Sequence, residues 1–63
     1  MTERNAIFVT VDKVTGDFVA TDSTGKIVLR TQSRKEMNEF TVANRYIPKM
    51  DSVAEYEFLI RRN

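Results

Sequence analysis

The chain counts 63 residues, with ten Lys and Arg against nine Asp and Glu, 41% hydrophobic residues, and neither Cys nor His. A chain of this length forms one domain, residues 1–63, that removes only about 60% of its unfolded surface from water, and the missing Cys and His exclude both a disulfide framework and zinc held through thiolate or imidazole. The near balance of charge leaves no global field to steer a polyanion.

From Met1 to Asn5 the sequence lacks the apolar stretch of a signal peptide and is expected to be a flexible lead into the domain. No apolar run approaches the roughly 18 residues of a membrane span, so a cytoplasmic protein without membrane contact is expected. Two similar loops follow. Asp12-Lys13-Val14-Thr15-Gly16 and Asp22-Ser23-Thr24-Gly25 both end in Thr-Gly between β-branched runs. Glycine suits the last loop position because the chain needs positive φ there before it rejoins a ladder, and each Asp can accept from backbone N–H groups two residues on.

Two successive hairpins, hence a three-stranded antiparallel meander, are predicted. Four-residue loops at 13–16 and 22–25 set Val11 opposite Phe18, Val9 opposite Ala20, Ala20 opposite Ile27 and Phe18 opposite Leu29. One face then gathers Ile7, Val9, Val11, Phe18, Ala20, Ile27 and Leu29. A three-residue second loop would carry Lys26 and Arg30 onto that face, which the cost of burying unpaired charge opposes.

Ser33 followed three positions later by Glu36 reads as a capping box. Met37, Phe40, Ala43 and Ile47 then form one helical stripe, with Lys35 and Glu39 spaced to pair on the other side. The helix is expected from Arg34 to about Tyr46 and to stop before Pro48. Phe40-Thr41-Val42 are weaker helix formers, so a strand over 39–47 is the alternative. Asp51-Ser52 opens the last element, Val53 to Arg61. There Ala54, Tyr56, Phe58 and Ile60 alternate with charged residues and Leu59, the period of a half-buried strand. The fold class is therefore α+β, a meander, one helix and a fourth strand (β-β-β-α-β). The fourth strand can pair at either edge and adds Tyr56, Phe58 and Ile60 to the face beneath the helix. An all-β small barrel is the alternative.

An enzyme is not expected. Asp12, Asp17 and Asp22 sit where Asp caps turns, and both glycines serve hairpins rather than a phosphate loop. Asp12 and Asp17 face each other across the first turn, but two exposed carboxylates fall short of the six or more oxygens that calcium takes, so neither metal nor cofactor is expected. Nucleic acid binding through Arg30, Arg34, Lys35, Arg61 and Arg62 is the alternative function, since sheets backed by helices read grooves. The expected open face, with Phe8 as its lone aromatic and no cationic stripe, argues against it.

That open face carries the main functional expectation. Thr10 meets Val19 and Val19 meets Val28, Phe8 lies diagonal to Val19, and Leu59 joins Phe8 if the fourth strand pairs with the first. Phe8, Thr10, Val19, Val28 and Leu59 form an apolar patch rimmed by Asp17 with Arg30 and by Thr21 with Lys26, the pattern of a protein-binding surface. Val42 and Tyr46 are a second candidate, and Tyr46 can equally fold over the helix end. The expected function is a small non-enzymatic module, an inhibitor, adaptor or regulatory protein, that binds another protein or its own copy through the outer face or an edge of the sheet. Short separate genes, phage genes among them, encode modules of this character.

Overall fold

A computed structural model describes residues 5–61. The runs rich in Val, Ile, Phe and Thr form β1 (Ala6–Val11), β2 (Phe18–Thr21) and β3 (Ile27–Thr31), followed by α1 (Arg34–Ala43), β4 (Ile47–Met50) and α2 (Ser52–Ile60). The fold is α+β, and its order through the fourth strand is β-β-β-α-β. The strands lie in the order β3-β2-β1-β4, with β1 antiparallel to β2 and parallel to β4. This open sheet replaces the alternative of a small barrel. Of the expected flexible lead only Asn5 is described, and its carbonyl accepts from the Ile47 N–H at 2.9 Å.

The first hairpin has the expected register, with Val9 opposite Ala20 and Val11 opposite Phe18. Asp12 Oδ1 accepts from the Val14 N–H at 2.8 Å, and Gly16 adopts φ 79°. The second hairpin differs. Its closing bond runs from the Asp22 N–H to the Lys26 carbonyl at 2.9 Å, with Gly25 at φ 89°, so the loop has three residues and Ile27 lies opposite Thr21. A bulge then sets Leu29, rather than Ile27, opposite Ala20 and Arg30 opposite Val19. Two residues of a bulged strand share one partner. Here the extra residue is Val28, and both Val28 and Leu29 pack against the core. The bulge absorbs the residue that the shorter loop displaces, so Arg30 stays off the core face without a longer loop. Ile27, expected in the core, is exposed instead.

Ser33 caps α1, its hydroxyl accepting from the Glu36 N–H at 3.1 Å. The returning half of the capping box is relayed: the Ser33 N–H donates to Thr31 Oγ1, and the Thr31 hydroxyl donates to Glu36. The helix ends at Ala43, earlier than Tyr46. Arg45 takes a left-handed φ of 56°, its N–H donates to Val42 O at 3.2 Å, and the Tyr46 N–H donates to Thr41 O at 2.9 Å. These are the two bonds of a Schellman ending, and the Phe40 and Tyr46 rings, 5.7 Å apart, supply its usual apolar contact. Pro48 therefore stops nothing. Ile47 directs its N–H toward β1, so by strand alternation Pro48 faces the free edge, where its missing donor costs no ladder bond. Met37 is buried and Phe40 half-buried as expected, but Ala43 and Ile47 are exposed and Thr41 takes a buried place.

The segment from Val53 to Arg61 is a helix, not a strand. Asp51 caps it by accepting from the Ala54 N–H at 2.8 Å. Ala54, Glu57, Phe58 and Arg61 stand at i, i+3, i+4 and i+7 and form its inward side, whereas Tyr56 and Ile60 point outward. The alternation of apolar residues shares Ala54 and Phe58 with this helical stripe, and the cap decides between them. Ile7, Val9, Phe18, Ala20 and Met37 form the buried cluster, with Phe40 of α1 and Phe58 of α2 packed against it. Both helices thus cover the same face of the sheet.

Candidate functional site

Because the helices share one face, the other is uncovered among the described residues. Strand alternation places Phe8 and Thr10 of β1, Val19 and Thr21 of β2, Ile27 and Arg30 of β3, and Ile47 and Lys49 of β4 on it. Lys49, Phe8, Thr21 and Ile27 form one row across all four strands, with Ile47 beside Ala6 in the next row. Phe8 is 47% exposed, Ile27 51% and Ile47 40%, so the face shows three large apolar side chains to solvent.

Of the expected patch, Phe8, Thr10 and Val19 stand together on this face, although Val19 is only 8% exposed and acts as its floor. Val28 leaves it through the bulge and packs against the core. Leu59 leaves it as well, because α2 lies over the opposite face, where Leu59 is 72% exposed. Sequence reasoning missed Ile27, Ile47 and Lys49. The three-residue loop with Gly at its end was the readable signal for Ile27. The second candidate pair separates: Tyr46 folds over the end of α1 against Phe40, and Val42 stays exposed.

The outward side of α2 is a further apolar surface. At about 100° per residue, Leu59, Tyr56, Ile60 and Val53 span an arc of about 120°, flanked on one side by Glu55. All four are exposed. A helical reading of Val53, Tyr56 and Ile60 as i, i+3 and i+7 would have revealed this arc.

The cations of the nucleic-acid alternative are largely engaged within the fold. Arg30 pairs with Asp12 at 2.6 Å and reaches Asp17 at 3.5 Å. Arg34 donates to the Phe58 carbonyl at 3.2 Å with its guanidinium over the Phe58 ring. Arg61 binds Glu57 at 3.1 Å, donates to the carbonyls of Gly16 at 2.7 Å and Gln32 at 3.1 Å, and lies 4.4 Å from the Phe18 ring centre. Lys35 is exposed, and Arg62 lies outside the described residues.

The carboxylates likewise serve the turns. The Arg30 hydrogen bond, followed by the N–H groups of Val14 and Thr15, holds the Asp12 carboxyl below the ordinary carboxylate value, and the same pair raises Arg30. The Thr24 hydroxyl, then the Lys26 N–H, lowers Asp22. Among the described residues no group of three or more acidic residues is placed to hold a metal ion, and no helix is long and apolar enough to cross a membrane. Comparison with known proteins finds no matching family model, no similar curated protein and no similar solved structure.

Proposed function

We propose that this chain is a non-enzymatic protein-interaction module of the cytoplasm, acting through the uncovered face of its sheet. The observation that carries this reading is the row Lys49–Phe8–Thr21–Ile27 with Ile47 beside it, in which Phe8 of a central strand and Ile27 and Ile47 of the two edge strands stand exposed on one face among Thr21 and Lys49. A sheet with one face under helices gains nothing from leaving Phe8, Ile27 and Ile47 in water. Such a surface becomes favourable when a partner removes it from solvent. The titratable groups reported above hold turns and helix ends, so they offer no converging acid, base or nucleophile. Nucleic acid is the weaker reading because Arg30, Arg34 and Arg61 already spend donors on Asp12, Asp17, Glu57 and backbone carbonyls.

The test is affinity capture from the source cell, run with and without nuclease, using the natural chain and the Phe8→Glu variant as baits. Lys49 beside position 8 gives the new carboxylate a cross-strand partner, which preserves the strand. The natural bait should retain a protein that the variant loses. Equal capture by both baits would remove the face from consideration, and loss of all capture on nuclease treatment would favour nucleic acid.

A further inference from the structure

We propose that the uncovered sheet face receives α2 of a second copy of this chain, in a head-to-tail contact that repeats from copy to copy. This rests on the sheet face being the interaction surface and names what covers it.

Each copy carries both halves of the contact. One is the apolar sheet face just described; the other is the outward arc of α2, with Val53, Tyr56, Leu59 and Ile60 exposed. The sheet already accepts this helix on its covered side, where Phe58 meets Phe18 with ring centres 5.6 Å apart. A second α2 on the uncovered side would complete a helix–sheet–helix sandwich. The dimensions match. A nine-residue helix is about 13.5 Å long, and four strands spaced about 4.8 Å span about 14 Å from first to last.

Charge favours this pairing over the symmetric ones. Glu55 flanks the arc on α2, and Lys49 ends the apolar row on the sheet; neither has an ion pair among the described residues. Two α2 helices packed antiparallel about Tyr56 would bring Glu55 toward its own mate. A helix on the sheet instead brings Glu55 toward Lys49. The chain has no Cys and no His, so neither a disulfide nor zinc held through thiolate or imidazole staples this small domain, and association is a route by which it buries apolar surface. The sheet face measures only about 300 Å² in outline, below the size of a standard interface, so the contact is a weak one that needs high protein concentration.

Two different surfaces make a heterologous interface, which continues into a ring or a filament instead of stopping at a dimer. Sedimentation of the natural chain from about 10 µM to 1 mM should therefore show mass rising beyond two copies. Phe8→Glu blocks the sheet face, and Tyr56→Lys with Leu59→Lys blocks the arc while placing a lysine four residues after Glu55, a helix-supporting pair. Each variant alone should remain monomeric with an unchanged circular dichroism spectrum. Mixed in equal amounts they should form a heterodimer and nothing larger, because each retains the half the other has lost. Phe8→Thr, which removes the ring but places a β-branched residue that strands favour, replaces Phe8→Glu if the latter unfolds.

A natural chain that stops at a dimer, or a mixture that stays monomeric, would overturn the head-to-tail contact. A natural chain that is monomeric at 1 mM overturns self-association as well. Neither result touches the sheet-face reading, which falls only if Phe8→Glu captures the same proteins as the natural bait.

Discussion

Arg45 is the residue whose conformation runs against its chemistry. Its φ of 56° lies in the left-handed region, where a side chain costs about 1–2 kcal/mol and glycine costs nothing. Arg45→Gly should stabilise the chain by about 0.5–1 kcal/mol after allowance for the greater freedom of glycine when unfolded. A rise of about 4 °C in Tm would report it; an unchanged or lower Tm would show that the Arg45 side chain contributes something in compensation. Asp12 and Asp22 are residues of the opposite kind, with chemistry suited to their place. Their carboxyl values lie below the ordinary 3.8, so their stabilisation is present above that value and is lost as pH falls through the lower folded value. The urea midpoint should fall steeply below about pH 4, and Asp12→Asn with Asp22→Asn should flatten that fall. Identical acid limbs would dissociate the two turns from acid unfolding.

At the scale of elements, local signals succeeded where a cap or a glycine fixed them and failed where two periods coincided. The first hairpin and the start of α1 were legible because Gly16 and Ser33 each meet a need of the backbone within a few residues. In α2 the strand period of Ala54, Tyr56, Phe58 and Ile60 and the helical period of Ala54, Glu57, Phe58 and Arg61 share two members. Glu57 and Arg61 look like surface residues, yet they are half-buried because they pair with each other and Arg61 reaches carbonyls of Gly16 and Gln32. Those carbonyls lie far away in sequence. Asp51 is the capping signal for the helix, and Asp51→Ala should cost about 1 kcal/mol with a loss of helical ellipticity. An unaltered spectrum and urea midpoint would mean that packing alone seats α2.

For the whole molecule, the three layers of contact converge on Phe18. Its ring is fully buried, meets Phe58 edge-on and lies under the Arg61 guanidinium, so it joins the sheet, α2 and the first turn. A chain of this length has about 3–9 kcal/mol of stability in total, and Phe18→Ala removes about 3–5. The variant should lose a third or more of that stability, with its urea midpoint falling steeply. Tyr56→Ser, on the solvent side of α2, should change stability by less than about 0.5 kcal/mol. A large loss there would place Tyr56 in the core and restore the strand.

The sequence by itself determined the meander, the first register and the cap of α1, and with them Phe8, Thr10 and Val19 as residues of one face, because strand alternation and turn geometry act over a few residues. Only the tertiary structure decided the rest. The bulge at Val28 trades a loop residue for a strand residue with no local cost that composition reveals. The place of the fourth strand beside β1 depends on a parallel ladder between Ala6–Val9 and Ile47–Met50, some forty residues apart in sequence. With β4 in that place, α2 falls on the covered face, carries Leu59 away from Phe8, and leaves Ile27, Ile47 and Lys49 to complete the open surface.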